Sequence, residues 1–285
     1  MTRKQAIKTM AGLSSMGVLG LPDAVSSSSG NGIINHSVCK WCYNGKSLEE
    51  LCEYSASIGI KAIDLLGPDE WGIADKYKLT CAMSNGSPNH HIPEGFNNPI
   101  FHNQLIKDYE ELIPKAAAAG LKNVICFSGN RNGITDEEGL ENCATGLDKI
   151  LGTAQKHNIV IQMELLNSKV DHPDYQCDHT EWGVALAEKL GSPNFKLLYD
   201  IYHMQIMEGD IIATIRKYHQ YIGHYHTGGV PGRNEIDGTQ ELNYAAIMRA
   251  IKETGFEGFV AQEFIPTANE PFDSLKTAIE ICDIS

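Results

Sequence analysis

The stretch SIGIKAIDLL, Ser57 to Leu66, closes a helical pattern on a glycine and restarts as an apolar run. The same grammar returns as AAGLKNVICF at 118–127 and as ETGFEGFVAQEF at 253–264. Glycine takes the left-handed conformation that ends a helix, and a run apolar on both faces reads as a strand buried between layers. KHNIVIQMEL, with Asn158 in the glycine's place, and GSPNFKLLYD are looser copies. Helix starts carry the complementary mark, since Ser47 with Glu50 and Thr135 with Glu138 have capping-box spacing.

Extending the pattern along the chain puts strand starts near Ile34, Ile60, Lys78, Asn123, Ile159, Phe195, Tyr221 and Gly258, each followed by a helical segment. Eight such units in the 252 residues from Ile34 to Ser285 predict an α/β fold, a single-domain (β/α)8 TIM barrel over residues 31–285. An open doubly wound sheet would want a glycine-rich phosphate turn after the first strand, and WCYNGKS is not one. The longest irregular connection, SNGSPNHHIPEGFNNPI, follows the third strand and is expected over the barrel mouth as a lid.

Residues 1–30 read differently. Arg3, Lys4 and Lys8 precede the mildly apolar MAGLSSMGVLGL, and Ala24, Val25 and Ser26 offer small residues for cleavage. An export signal is expected there, with a periplasmic destination, and TRKQAIK resembles a weakened twin-arginine signal. The alternative is a tail on a cytoplasmic protein. A formal net charge of -13 without a basic run disfavours a phosphate-backbone partner, so no nucleic acid is expected. No apolar stretch reaches the roughly 20 residues of a membrane span. The eight cysteines do not form a disulfide framework, and Cys39 and Cys42, despite their CxxC spacing, read as packing residues.

Chemistry in a barrel gathers at the C-terminal ends of its strands. Four consecutive candidates end in metal-binding types: Glu164 in IVIQMELL, Asp200 in KLLYD, His226 in IGHYH and Glu263 in FVAQEF. Their separations of 36, 26 and 37 residues are each close to one βα unit, so they should ring one spot. Strand alternation puts His224 and His226 on one face, with His226 nearer the mouth and His224 a layer deeper in support. Three crowded carboxylates repel unless a cation neutralises them. Three hard oxygens and an imidazole suit Mn²⁺ or Mg²⁺, with Co²⁺ or Zn²⁺ as alternatives.

These residues, with GHYH, VPGR and GTQELNY from Gly223 onward, MELLNSKVDHPDY at 163–175 and DIYHMQ at 200–205, resemble the xylose isomerase-like sugar isomerases and epimerases. Within that family they are most similar to the hydroxypyruvate isomerases. The resemblance implies that Glu164, Asp200, His226 and Glu263 bind a divalent metal and that Glu164 and Glu263 also move the proton. It implies substrate contact for His203. Arg233, and less directly Arg131 in GNRNG, would hold a carboxylate or hydroxyl, with Glu241 bracing Arg233. Many hydroxypyruvate isomerases carry glutamine where His226 stands, whereas ketose 3-epimerases carry histidine. The expected activity is a metal-dependent isomerase interconverting hydroxypyruvate and tartronate semialdehyde, or a similar small hydroxy-carbonyl compound, through an enediolate. The alternatives are a ketose 3-epimerase and a non-catalytic metal- or sugar-binding protein. An abasic-site endonuclease would share the fold but wants a basic face. The expected partner is a small-molecule substrate, and self-association into a homo-oligomer is left open.

Overall fold

A computed structural model describes residues 34–284 of the chain. The export segment expected over residues 1–30 lies outside the described residues. Eight parallel strands close on themselves in sequence order, with the last pairing with the first. They are β1 (Asn35–Cys39), β2 (Ala62–Leu66), β3 (Thr80–Ser84), β4 (Asn123–Cys126), β5 (Val160–Glu164), β6 (Phe195–Asp200), β7 (Ile222–Thr227) and β8 (Phe259–Gln262). Each starts within two residues of the expected position. The connecting helices are α1 (Leu48–Ser57), α2 (Trp71–Lys76), α3 (Pro99–Ala118), α4 (Asp136–His157), α5 (Thr180–Leu190), α6 (Ile201–Met207), α7 (Ile211–Tyr218), α8 (Tyr244–Glu253) and α9 (Pro271–Cys282).

Local chemistry explains the boundaries. Gly59, Gly120 and Gly255 follow α1, α3 and α8 with φ of +87°, +81° and +79°, and Asn158 ends α4 in the same left-handed region at +54°. Ser47 caps α1 with both bonds of a capping box, while at Thr135 the hydroxyl accepts from the Glu138 N–H. The crossover from β6 to β7 holds two helices where the sequence pattern reads as one segment. Gly209 and Asp210, at φ +67° and +44°, turn left-handed in succession and split it.

The barrel interior is packed. Met83, Ile125 and Leu198 form its apolar plug, with Leu65 and Phe127 against them, and the larger core lies between sheet and helices. All eight cysteines are buried free thiols. The loop from Asn85 to Asn98 runs along the mouth, and its C-terminal end pairs with the end of β4 through Phe96 N–H to Phe127 O (3.2 Å) and Asn97 N–H to Ser128 O (2.7 Å). Backbones touch here: a Cβ on Gly95 would lie 2.3 Å from Gly129 N, and one on Gly129 2.7 Å from Gly95 N. No helix of the described residues is long and apolar enough to cross a membrane.

Candidate metal centre

Four adjacent strand ends converge. Glu164 ends β5, Asp200 ends β6, His226 is the penultimate residue of β7 and Glu263 follows β8. One ligand atom from each lies within 4.8 Å of all the others, and all four residues are buried. His226 Nδ1 stands 3.1 Å from Glu164 Oε1 and 2.9 Å from Glu263 Oε2. Asp200 divides its oxygens between two tasks. Oδ1 caps α6 by accepting from the His203 N–H at 3.1 Å, and Oδ2 turns inward, 3.2 Å from Arg233 Nη2. A helix cap and an inward-facing donor are therefore one residue.

Arg233 holds this cluster together. It sits at φ +58°, with its guanidinium over the rings of Trp41 and Tyr202, and bonds both Asp200 and Glu263. Trp41 Nε1 donates to Glu263 Oε1 at 2.7 Å. Burial pushes the Asp200 carboxyl well above the usual range against the pull of Arg233. At Glu263 burial acts in the same direction, but Arg233 and His226, with the Trp41 hydrogen bond, outweigh it and hold the carboxyl well below its ordinary value. Burial disfavours charge on His226, yet Glu263, ahead of Cys39 and Asp64, lifts its pKa well above the ordinary value. The protein thus gathers positive charge around three buried carboxylates, which is the demand a divalent ion meets. The donor spacing is close to what one ion needs, since the four atoms lie within 4.8 Å of one another and two bonds of roughly 2.1 Å to one ion span about 4.2 Å. Glu164, Asp200, His226 and Glu263 would hold that ion.

His203 is fully buried. Its Nδ1 accepts from the Asn167 N–H at 3.1 Å, which leaves the proton on Nε2, 3.7 Å from Asp200 Oδ2 and otherwise unpartnered among the described residues. Burial, reinforced by Arg233, keeps this imidazole neutral by lowering its pKa well below the usual value. His224 lies deeper, with Nε2 at 2.6 Å from Asp64 Oδ2. Arg131 is placed elsewhere. Its guanidinium is engaged by Asp136, by Asp178 at 2.9 Å and by the carbonyls of Tyr175 and Gln176, and it does not line the cavity. An arginine so occupied fastens the β5–α5 loop instead of presenting a free fork to substrate. Glu241, expected to brace Arg233, accepts from Gln205 at 3.1 Å.

A cavity of about 1140 Å³ opens above the cluster between the mouth and the Asn85–Asn98 loop, walled by Trp41, Leu65, Phe127, Leu166, His172 and Arg233. Of the four donors, Glu164 and Glu263 line it. Two residues here escaped the sequence reading. Asp64 carried a signal, being the one acid in the apolar strand AIDLL, whereas Trp41 in the turn after β1 looked like any core aromatic.

The family model described as xylose isomerase-like TIM barrel matches residues 52–282. The chain belongs to the xylose isomerase-like TIM barrel family. Among curated members it is 33% identical over 115 residues to the putative hydroxypyruvate isomerase of Homo sapiens, a match covering 40% of this chain and 42% of that protein. The chain thus spans less than half the length of that relative. It is 25% identical over 224 residues to the hydroxypyruvate isomerase of Escherichia coli (strain K12), covering 75% of this chain and 86% of the other. Among solved structures, the AP endonuclease, family 2, of Brucella melitensis superposes with a TM-score of 0.76 at 20% identity, covering 86% of this chain and 97% of that one. At that identity the likeness shows the shared xylose isomerase-like barrel and nothing of its chemistry.

Proposed function

We propose that this chain is a divalent metal-dependent isomerase that moves a proton between adjacent carbons of a small hydroxy-carbonyl compound of the hydroxypyruvate type. The observation that carries this reading is that Glu164 and Glu263, alone of the four clustered donors, line the cavity. Two carboxylates thus border the space where substrate carbon would lie, while Asp200 and His226 stay behind them. Matches to relatives named hydroxypyruvate isomerase support the same class. A divalent ion held by Glu164, Asp200, His226 and Glu263, Mn²⁺ or Mg²⁺ given the oxygen-rich donors, would supply stabilisation of the negative charge that develops on the substrate oxygens.

The residues of the chain do the rest. One glutamate takes the proton from the carbon bearing the hydroxyl, and a glutamate returns it to the former carbonyl carbon, while the hydroxyl proton passes to the former carbonyl oxygen. Arg233 lines the cavity and holds Asp200 and Glu263 in place, and His203, with Nε2 3.7 Å from Asp200 Oδ2, stands behind that carboxylate. The Asn85–Asn98 loop supplies one wall of the cavity at the mouth.

A second reading, a ketose 3-epimerase, draws on the family resemblance and on one observation. His226 stands where many hydroxypyruvate isomerases have glutamine, and 1140 Å³ exceeds the 300–1,000 Å³ of pockets that enclose far larger ligands than a three-carbon acid. A third, a non-catalytic binding protein, uses the same donors. Incubating the Mn²⁺-loaded protein in D₂O with hydroxypyruvate and a panel of ketoses separates them. Deuterium entering hydroxypyruvate supports the isomerase, exchange at C3 of a ketose supports the epimerase, and bound metal without exchange in any compound leaves the binding protein.

A further inference from the structure

Beneath the four donors lies a buried pair that the reaction does not use. Asp64 on β2 and His224 on β7 are both fully buried, and Asp64 Oδ2 is 2.6 Å from His224 Nε2 and 3.5 Å from His226 Nε2. The imidazoles of His224 and His226 meet edge to face, with centroids 5.3 Å apart. His226 therefore has two sides. Nδ1 faces Glu164 and Glu263, and Nε2 faces Asp64 with Cys39 Sγ at 3.9 Å.

A neutral imidazole donates from one nitrogen and accepts, or ligates, from the other, and the partner of the first decides which nitrogen is left for the second. Asp64 is an acceptor held below the ring by its bond with His224. In that position it draws the His226 proton to Nε2 and leaves the Nδ1 lone pair for an ion among the carboxylates. Glutamine at the same position would need no such partner, because its carbonyl oxygen is a donor to metal in any protonation state.

We infer that Asp64, anchored by His224, is the positioning residue that makes His226 a competent metal ligand through Nδ1. The inference rests on reading the four strand-end residues as a metal centre. A carboxylate behind a ligating histidine typically accounts for 10- to 100-fold in metal affinity.

The test is a double-mutant cycle on Mn²⁺ affinity, measured calorimetrically on the full chain with circular dichroism as the folding control. Asp64→Asn should weaken Mn²⁺ binding 10- to 100-fold in the His226 protein and less than threefold in a His226→Gln background. A general structural role would weaken both equally, and that result overturns the inference. Should Asp64→Asn fail to fold, Asp64→Glu, which keeps the charge but displaces it, enters the same cycle with the same expected asymmetry. If the wild type takes up no divalent ion, the metal reading falls and this inference with it. If the wild type binds tightly and Asp64→Asn binds as well, only the positioning role falls. A stoichiometry of two ions per chain would mean that Asp64, His224 and His226 are themselves a second site, and would also overturn it.

Discussion

At the scale of single residues, the division of labour among the donors makes separable expectations. Asp200→Ala and His226→Ala each remove one donor and should lower metal occupancy, read by elemental analysis after dialysis. Glu164→Gln and Glu263→Gln keep shape and one oxygen donor but cannot accept a proton. With occupancy measured in the same samples, turnover should fall about 10²- to 10⁴-fold, and a variant that turns over normally with metal bound removes that glutamate from the mechanism. His36 carries a different liability. It is buried in β1 with neither ring nitrogen bonded among the described residues, and burial, aided by Lys61, lowers its pKa from 6.5 to about 4. Between those values the unfolded chain binds a proton that the folded one refuses. Stability should therefore decline as pH falls from 6.5 to 4, by up to about 3 kcal/mol from this residue. Denaturant titrations of His36→Phe at pH 7 and pH 4.5 check this, because the variant should lose less on acidification than the wild type.

At the scale of elements, the helix-glycine-strand phrase made the barrel legible, because each closing residue states locally where a helix must stop. The convergence of Glu164, Asp200, His226 and Glu263 was legible for a related reason, since their spacing matched the βα repeat that brings them together. Asp64 was not, because its partner His224 lies 160 positions away in sequence and only barrel closure sets them side by side. The Arg131 expectation shows the converse limit. A basic residue after a strand can face the mouth or fasten a loop, and the deciding acids, Asp136 and Asp178, sit on other segments. The loop over the mouth was legible as a connection, but its docking was not, because backbone pairing leaves no mark in side-chain chemistry. Gly95→Ala forces a methyl into the backbone near Gly129 and should cost about 1–3 kcal/mol. An unchanged melting temperature would show that the loop base can give way.

At the scale of the molecule, folding brings three carboxylates into one buried cluster, and that charge is a burden on the metal-free barrel. Ion binding should stabilise the whole fold, by about 2.7 kcal/mol at a free Mn²⁺ concentration 100 times the dissociation constant. For a chain of this size that corresponds to a rise of roughly 5–10 °C in melting temperature, reversed by chelator. Scanning calorimetry with Mn²⁺ and with EDTA checks it, and coincident transitions would argue against the centre. The crossing of Gly95 on Gly129 also bears on descent. It fixes one end of the mouth loop against the barrel, so the cavity wall between Asn85 and Glu94 is built apart from the strand ends that carry the four clustered residues. Rewriting that short segment should therefore change what the cavity admits while leaving Glu164, Asp200, His226 and Glu263 in place, and a loop transplanted with both glycines included would carry its own socket.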